Sequence, residues 1–178
     1  MTDRNLGRRS FLVGVGATGA LIWSTELAVA SAAPADGQIA EHLVEGSSAA
    51  VALRTGAVAT VLLYVARRFH YEIAPLKAGD ITGFGTTRAV TARYEANYAS
   101  GTAIAVLPGM YPTGARGCLF PHEVAVVRDI LAECEGTVRW AGDEPTPKEG
   151  HFQIAVAPGG AALRRVAEKL GGHQLVTT

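Results

Sequence analysis

The stretch EANYASGTAIAV, Glu95 to Val106, decides how this chain is read. Gly101 marks a turn, and the run Ala103, Ile104, Ala105, Val106 predicts a strand in which residues two apart share a face. A turn leading into a strand can bring side chains from adjacent segments to one point, where a His and an Asp would hold a zinc ion. The stretch itself contains no His or Asp, which raises the question of whether the chain is an enzyme at all.

Further along, TVRWAG and HFQIAVAPG are short β-branched or aromatic segments bounded by Gly and Pro and predict two more strands. Three helices are expected around them. AVATVLLYVARRFHY, 57–71, carries Val58, Val61, Leu62, Val65 and Phe69 at core-facing spacing and stops before Pro75. FPHEVAVVRDILAECEG places Val124, Val127, Ile130 and Leu131 on one face, with Pro121 in the first turn and Gly136 at the end. AALRRVAEKLGG closes the chain as an amphipathic helix. KAGDITGFGTTRAV is glycine-rich and reads as loop. With no regular βαβ repeat, these elements imply an α+β domain with a small antiparallel sheet flanked by helices.

The amino terminus is read apart from that domain. MTDRNLGRRSFLVGVGATGALIWSTELAVASAAPADG has a basic start, an apolar middle and small residues at Ala28, Ala30 and Ala32, the layout of an export signal over 1–33. Arg8-Arg9 followed by Ser10, Phe11 and Leu12 resembles the twin-arginine signal. The apolar middle is too short and glycine-rich for a membrane span, which needs about 20 apolar residues. Cleavage leaves roughly 145 residues, enough for one core, with 34–56 read as a mobile leader and the start of a domain over 57–178. Small polar residues without a period fill Ala33 to Ser48.

Charge excludes one class of partner. Sixteen Lys and Arg balance sixteen Asp and Glu, and no basic run exceeds pairs such as Arg67-Arg68 and Arg164-Arg165, so nothing recommends nucleic acid. Such pairs are read as solvated helix faces. Cys118 and Cys134 bracket the second helix, which at about 1.5 Å per residue separates them by about 18 Å. A disulfide needs Cα atoms within about 7 Å, so both are expected as free thiols.

Five segments in order, ARRFHYEIAPL, TGFGTTRAV, NYASGTAIAV, CEGTVRWAGD and GHFQI, resemble the zinc D-alanyl-D-alanine carboxypeptidase (DD-peptidase) family and its cell-wall endopeptidase relatives. The family pattern is S-x-H-x-x-G-x-A-x-D, followed later by D-x-x-H-F. Gly101 and Ala103 match its glycine and alanine, and His151-Phe152 its last zinc ligand and aromatic residue. Ala96 stands at the serine, Tyr98 at the histidine ligand, Ala105 at the aspartate ligand and Lys148 at the catalytic acid. The resemblance thus implies a DD-peptidase-like fold around a degenerate site that keeps only His151. A catalytic zinc is held by three protein ligands and a water; alanine cannot ligate, and tyrosine has to ionise from about 10. Lys148 would also repel a cation.

The remaining candidates have bland alternatives. Arg88 matches an arginine that in the family lies near the substrate cleft and is a candidate for binding a carboxylate; a structural ion pair is equally open. Arg88, Tyr98 and His151 are therefore the binding candidates. His70 and Glu72 end a helix, His122 and Glu123 begin one, and a capping role outweighs metal binding for each. Cys118, His122 and His151 form a paper alternative for a relocated site. Glu149 could replace the missing acid only if it faced His151, and Ser100 has no adjacent base. The resemblance implies an exported, non-catalytic relative, extracellular or in the cell envelope, that binds peptidoglycan stem peptide or a cell-envelope protein without a cofactor. The alternative is an active cell-wall metallopeptidase with shifted or substituted zinc ligands.

Overall fold

A computed structural model describes residues 36–86 and 90–172. The export-signal positions and Arg88 lie outside the described residues. No helix among them is long and apolar enough to cross a membrane.

Among the described residues, two antiparallel sheets and three α-helices make an α+β fold. Strands β1 (Ile39–Leu43) and β2 (Ala50–Arg54) form a hairpin. Helix α1 (Ala57–Glu72) follows, then β3 (Ile81–Thr82), a 3-10 segment Arg93–Ser100, and β4 (Ala103–Val106). Helix α2 (Pro121–Glu133), β5 (Val138–Trp140), β6 (His151–Ile154) and α3 (Ala161–Gly172) come next among the described residues. The second sheet runs β3-β4-β6-β5, antiparallel throughout. The three helices and β4, β5 and β6 fall where the residue pattern predicts them.

The apolar period of α1 explains its place at the centre. Val58, Val61, Leu62, Val65 and Phe69 are buried, and α1 packs against α3, α2, β6 and β4. Phe69 meets Phe152 edge-on at 6.4 Å between ring centres. Pro121 opens α2 as expected, and the Glu123 carboxylate accepts the Phe120 N–H at 2.7 Å, which satisfies one of the donors that a helix start leaves open. Glu135 and Gly136 both take left-handed φ and end that helix.

Three expectations are corrected. The segment read as a mobile leader contains β1, and the hairpin it makes with β2 belongs to the domain. Val44, Ala49, Val51 and Leu53 are buried, while β1 itself exposes Ile39, Glu41 and Leu43, so its outward half hid the strand. Arg54 N–H donates to Gly101 O at 3.0 Å and Phe84 N–H to Ala52 O at 2.8 Å, which fastens the hairpin to the rest. The glycine-rich loop contains the short β3. The Arg67-Arg68 pair is more than a solvated face: Arg68 donates to Asp129 at 2.7 Å and to Glu133 at 3.4 Å on α2, and to Glu72 on its own helix. It ties α1 to α2.

Cys118 and Cys134 are free thiols. Cys134 is fully buried, and burial with the nearby Glu133 charge pushes its thiol up to about 12, so it stays a protonated packing residue.

Candidate functional site

Cross-strand register places Thr82, Ala105 and His151 in one row across β3, β4 and β6. The next row holds Ala103, Gln153 and Arg139. Since residues two apart share a face, these two rows form one side of the sheet, and Ile81, Ile104, Val106, Trp140, Phe152 and Ile154 form the core side. The 93–100 segment covers the first side. Tyr98 from that segment packs with Ala103 and Ala105 in a small buried cluster separate from the main core.

Gly101 makes this closure possible. Its φ is 65°, and a Cβ there would sit 2.5 Å from Ile39 Cδ1 and 2.9 Å from Arg54 N. A left-handed turn in contact with another backbone admits glycine and little else. The carbonyl of Tyr98 accepts the Gly101 N–H at 3.1 Å, so the turn directs Tyr98 onto the sheet.

Tyr98 and Ala105 therefore do gather around His151. The Tyr98 hydroxyl lies 2.6 Å from His151 Nδ1, and Ala105 is the cross-strand partner of His151. On the other side of the ring, His151 Nε2 lies 3.3 Å from Gln153 Oε1, which also accepts from Asn97 Nδ2. One assignment satisfies the chain: Asn97 and His151 Nε2–H donate to Gln153 Oε1, and the Tyr98 hydroxyl donates to Nδ1. Tyr94 packs on the same ring at 4.7 Å between centres and donates to Thr146 O at 2.9 Å.

Lys148 and Glu95 complete the interior. Their side chains are 10 % and 3 % exposed, and Nζ lies 2.7 Å from Oε1. The other Glu95 oxygen accepts from Thr91 N at 2.8 Å and Thr91 Oγ1 at 2.6 Å. Burial pushes the Glu95 carboxyl up, but the hydrogen bonds from Lys148 and Thr91 outweigh it and bring it down to about 2. Lys148 Nζ also sits 5.6 Å from the Tyr98 ring centre. The expectation that Lys148 would present a repelling charge is corrected, because Glu95 neutralises it on the spot.

These residues do not fit a zinc ion. Ala105 supplies no donor, both ring nitrogens of His151 are engaged within the protein, and no group of three or more His, Cys, Asp or Glu among the described residues is placed to hold a metal. The other candidates are occupied elsewhere. Glu149 accepts the Gly117 N–H at 2.6 Å and the Leu119 N–H at 2.8 Å, anchoring the loop before α2. His70 Nδ1 accepts the Leu76 N–H at 2.8 Å, closing the end of α1. His122 stacks on Phe120 at the start of α2, and the Ser100 hydroxyl donates to Asn97 O at 3.0 Å.

Beside the sealed interior lies an open cleft of about 710 Å³, lined among others by Arg93, Tyr94, Asn97, Arg139, Glu144 and Gln153. Tyr94, Asn97 and Gln153 are shared between cleft and interior. Of these residues, sequence reasoning missed Glu95, Asn97, Gln153, Arg93 and Arg139. Alternation along HFQI was enough to put Gln153 on the His151 face. Nothing local pairs Glu95 with Lys148, which lies 53 residues away.

No family model, curated protein or solved structure matches the chain.

Proposed function

We propose that this chain is an exported, non-catalytic relative of the zinc D-alanyl-D-alanine carboxypeptidases, with a DD-peptidase-like fold, and that it holds peptidoglycan stem peptide in the cleft beside its closed site. One observation carries the reading. Tyr98, Ala105 and His151, the positions where the resemblance puts three zinc ligands, meet at one point, and hydrogen bonds to Tyr98 and Gln153 occupy the histidine there. A merely accidental likeness of five segments gives no reason for those three to converge.

The same geometry argues against hydrolysis. A zinc peptidase needs an open coordination position and an acid beside the metal-bound water. Here a phenol fills the position next to His151, and an ammonium paired with Glu95 stands at the acid position. Glu72, His122 and Glu149, the residues left for a shifted site, are engaged with Arg68, Phe120 and the 117–119 loop. The chemistry left to the cleft is recognition through its exposed polar groups.

The decisive measurement has two parts. Protein lacking residues 1–33, dialysed against trace zinc, is expected to hold no stoichiometric metal, and a soluble stem peptide is expected to bind it without being cleaved. One tightly held zinc per chain, or release of D-alanine, overturns the reading. Binding of a cell-envelope protein in place of the peptide would keep the non-catalytic assignment and change the ligand. Export has its own test: replacing Arg8 and Arg9 with lysines keeps the charge but removes the paired guanidinium groups, and the precursor is expected to stay in the cytosol. Unimpaired secretion of that variant would refute the twin-arginine assignment.

A further inference from the structure

The cleft contains an unmatched set of hydrogen-bonding groups. Gln153 is 7 % exposed and lines the cleft, and its Oε1 is taken up by Asn97 and His151. Its amide nitrogen has no hydrogen-bond partner among the described residues, yet it is not among the polar atoms sealed away from solvent. The only polar surroundings left to it are those of the cleft. Arg139 is the cross-strand neighbour of Gln153 on the same face, so their Cβ atoms lie about 5 Å apart. Arg93 opens the segment that forms the opposite wall. Both arginines are exposed, and neither makes an ion pair or hydrogen bond to a described residue. Most other arginines of the domain are engaged: Arg67, Arg68, Arg116, Arg128, Arg164 and Arg165 all have partners.

We propose that this cleft is a carboxylate-recognition site for a peptide, in which Arg93 and Arg139 take the carboxylate and the Gln153 amide donates to a neighbouring peptide carbonyl. The inference deepens the reading of the cleft as a stem-peptide groove and rests on it. Guanidinium is suited to the task because its planar fork meets a carboxylate with two parallel hydrogen bonds. Gln153 is suited because its orientation is fixed from behind: Asn97 and His151 hold Oε1, which turns the NH2 group the other way. The closed histidine network thereby acquires a use, since it sets the angle of a donor at the cleft wall. Glu144 on the rim leaves the cleft with a net excess of one positive charge from its side chains and disfavours a ligand that is anionic at every position.

Calorimetric titration of the protein lacking residues 1–33 tests this with four probes: the soluble stem peptide, the same peptide amidated at its terminal carboxylate, the same peptide amidated at its side-chain carboxylates, and sodium phosphate. One of the two amidated peptides is expected to bind at least tenfold more weakly than the free peptide, which names the carboxylate used. Arg93→Ala with Arg139→Ala is expected to reduce affinity at least tenfold without a change in melting temperature, since both side chains are exposed. Gln153→Glu keeps the acceptor oxygen that Asn97 and His151 use but puts a negative charge in place of the donor, so it is expected to weaken the free peptide more than the peptide amidated at the carboxylate used. Equal binding of all three peptides overturns the carboxylate site and leaves the groove reading intact. Failure of every peptide to bind overturns both. Phosphate competing as strongly as the peptide shows a general anion site and overturns peptide recognition.

Discussion

The two faces of the four-stranded sheet are closed by different physics. On one, Ile81, Ile104, Val106, Trp140, Phe152 and Ile154 join the helices in a single apolar core. On the other, alanines at 103 and 105 leave room for Tyr98, and a chain of hydrogen bonds and one ion pair fills what remains. An apolar face is stabilised group by group, roughly in proportion to the area that each removes from water. A polar face depends on its buried partners, because an unmatched group costs more than the bond contributes, as at Thr82 Oγ1, the buried atom of this face without a partner among the described residues. The contrast predicts how each face responds to substitution.

The largest effects come from removing one member of each arrangement. Phe152→Ala on the core side is expected to cost about 3–5 kcal/mol through lost burial and a cavity. Lys148→Met on the other side is expected to cost about as much, about 3–5 kcal/mol, because it leaves the Glu95 carboxylate buried without its counter-ion. The difference appears in the second step. Adding Glu95→Leu to Lys148→Met removes the stranded charge and is expected to recover most of the loss, whereas no single change on the polar side restores Phe152→Ala. Chemical denaturation of the wild type and the three variants checks this, and a double variant no more stable than Lys148→Met would show that the ion pair is not the unit of stability on this face.

Acid should separate the faces as well. The Glu95 carboxyl lies near 4.5 when unfolded and at about 2 when folded, so it contributes stability that is complete above about 4.5 and lost as pH falls through 2. The loss is on the order of 3 kcal/mol. Since other carboxylates titrate in the same window, the measurement is the difference between the wild type and the Glu95→Leu, Lys148→Met variant. The double variant lacks this titration, so the melting temperature of the wild type should fall relative to it as the pH drops from 5 to 2. A constant gap would mean that Glu95 is not held ionised by Lys148.

How much of this was legible in the residues follows the same division. Apolar periodicity located α1, α2, α3 and β4 to β6, because burial of a helix stripe or strand leaves its period in the sequence. It failed for β1, whose outward Ile39, Glu41 and Leu43 blur the alternation, and for the 93–100 segment, whose buried Tyr94 and Tyr98 are interleaved with polar residues. The candidate site was legible in outline through Tyr98, Ala105 and His151. Its closure was not, since Glu95 with Lys148 and Tyr98 with His151 each pair across 53 residues, and long-range polar pairing leaves no local period.

Installing zinc ligands around His151 sharpens the comparison further. Tyr98→His with Ala105→Asp places a histidine and an aspartate around His151, a three-ligand set with an open fourth position. Zinc is then expected to stabilise the double variant by about 2.7 kcal/mol at a hundredfold excess over its dissociation constant, read as a rise in melting temperature absent from the wild type. Adding Lys148→Asp supplies an acid beside the metal-bound water, and only this triple variant is expected to gain peptidase activity on stem peptides. A folded double variant with no zinc-dependent shift would show that the three positions meet without the geometry of a metal site.

The smallest effect tests the closing bond itself. Tyr98→Phe keeps the ring that packs on Ala103 and Ala105 and removes only the hydroxyl 2.6 Å from His151 Nδ1. Deleting one partner of a buried hydrogen bond costs about 1–3 kcal/mol, and the ring contacts that remain set the outcome toward the lower end. On an apolar face the same loss of one polar atom would be neutral or favourable, so the sign separates the two modes of closure. The tautomer argument adds a second readout. With Tyr98 no longer donating to Nδ1, the assignment that keeps Nε2–H on Gln153 loses one of its two supports, and the nitrogen shifts of His151 measured by NMR should move toward the other tautomer. An unchanged stability together with unchanged His151 shifts would mean that the hydroxyl contributes nothing to the closure, and that Tyr98 holds the 93–100 segment to the sheet through its ring alone.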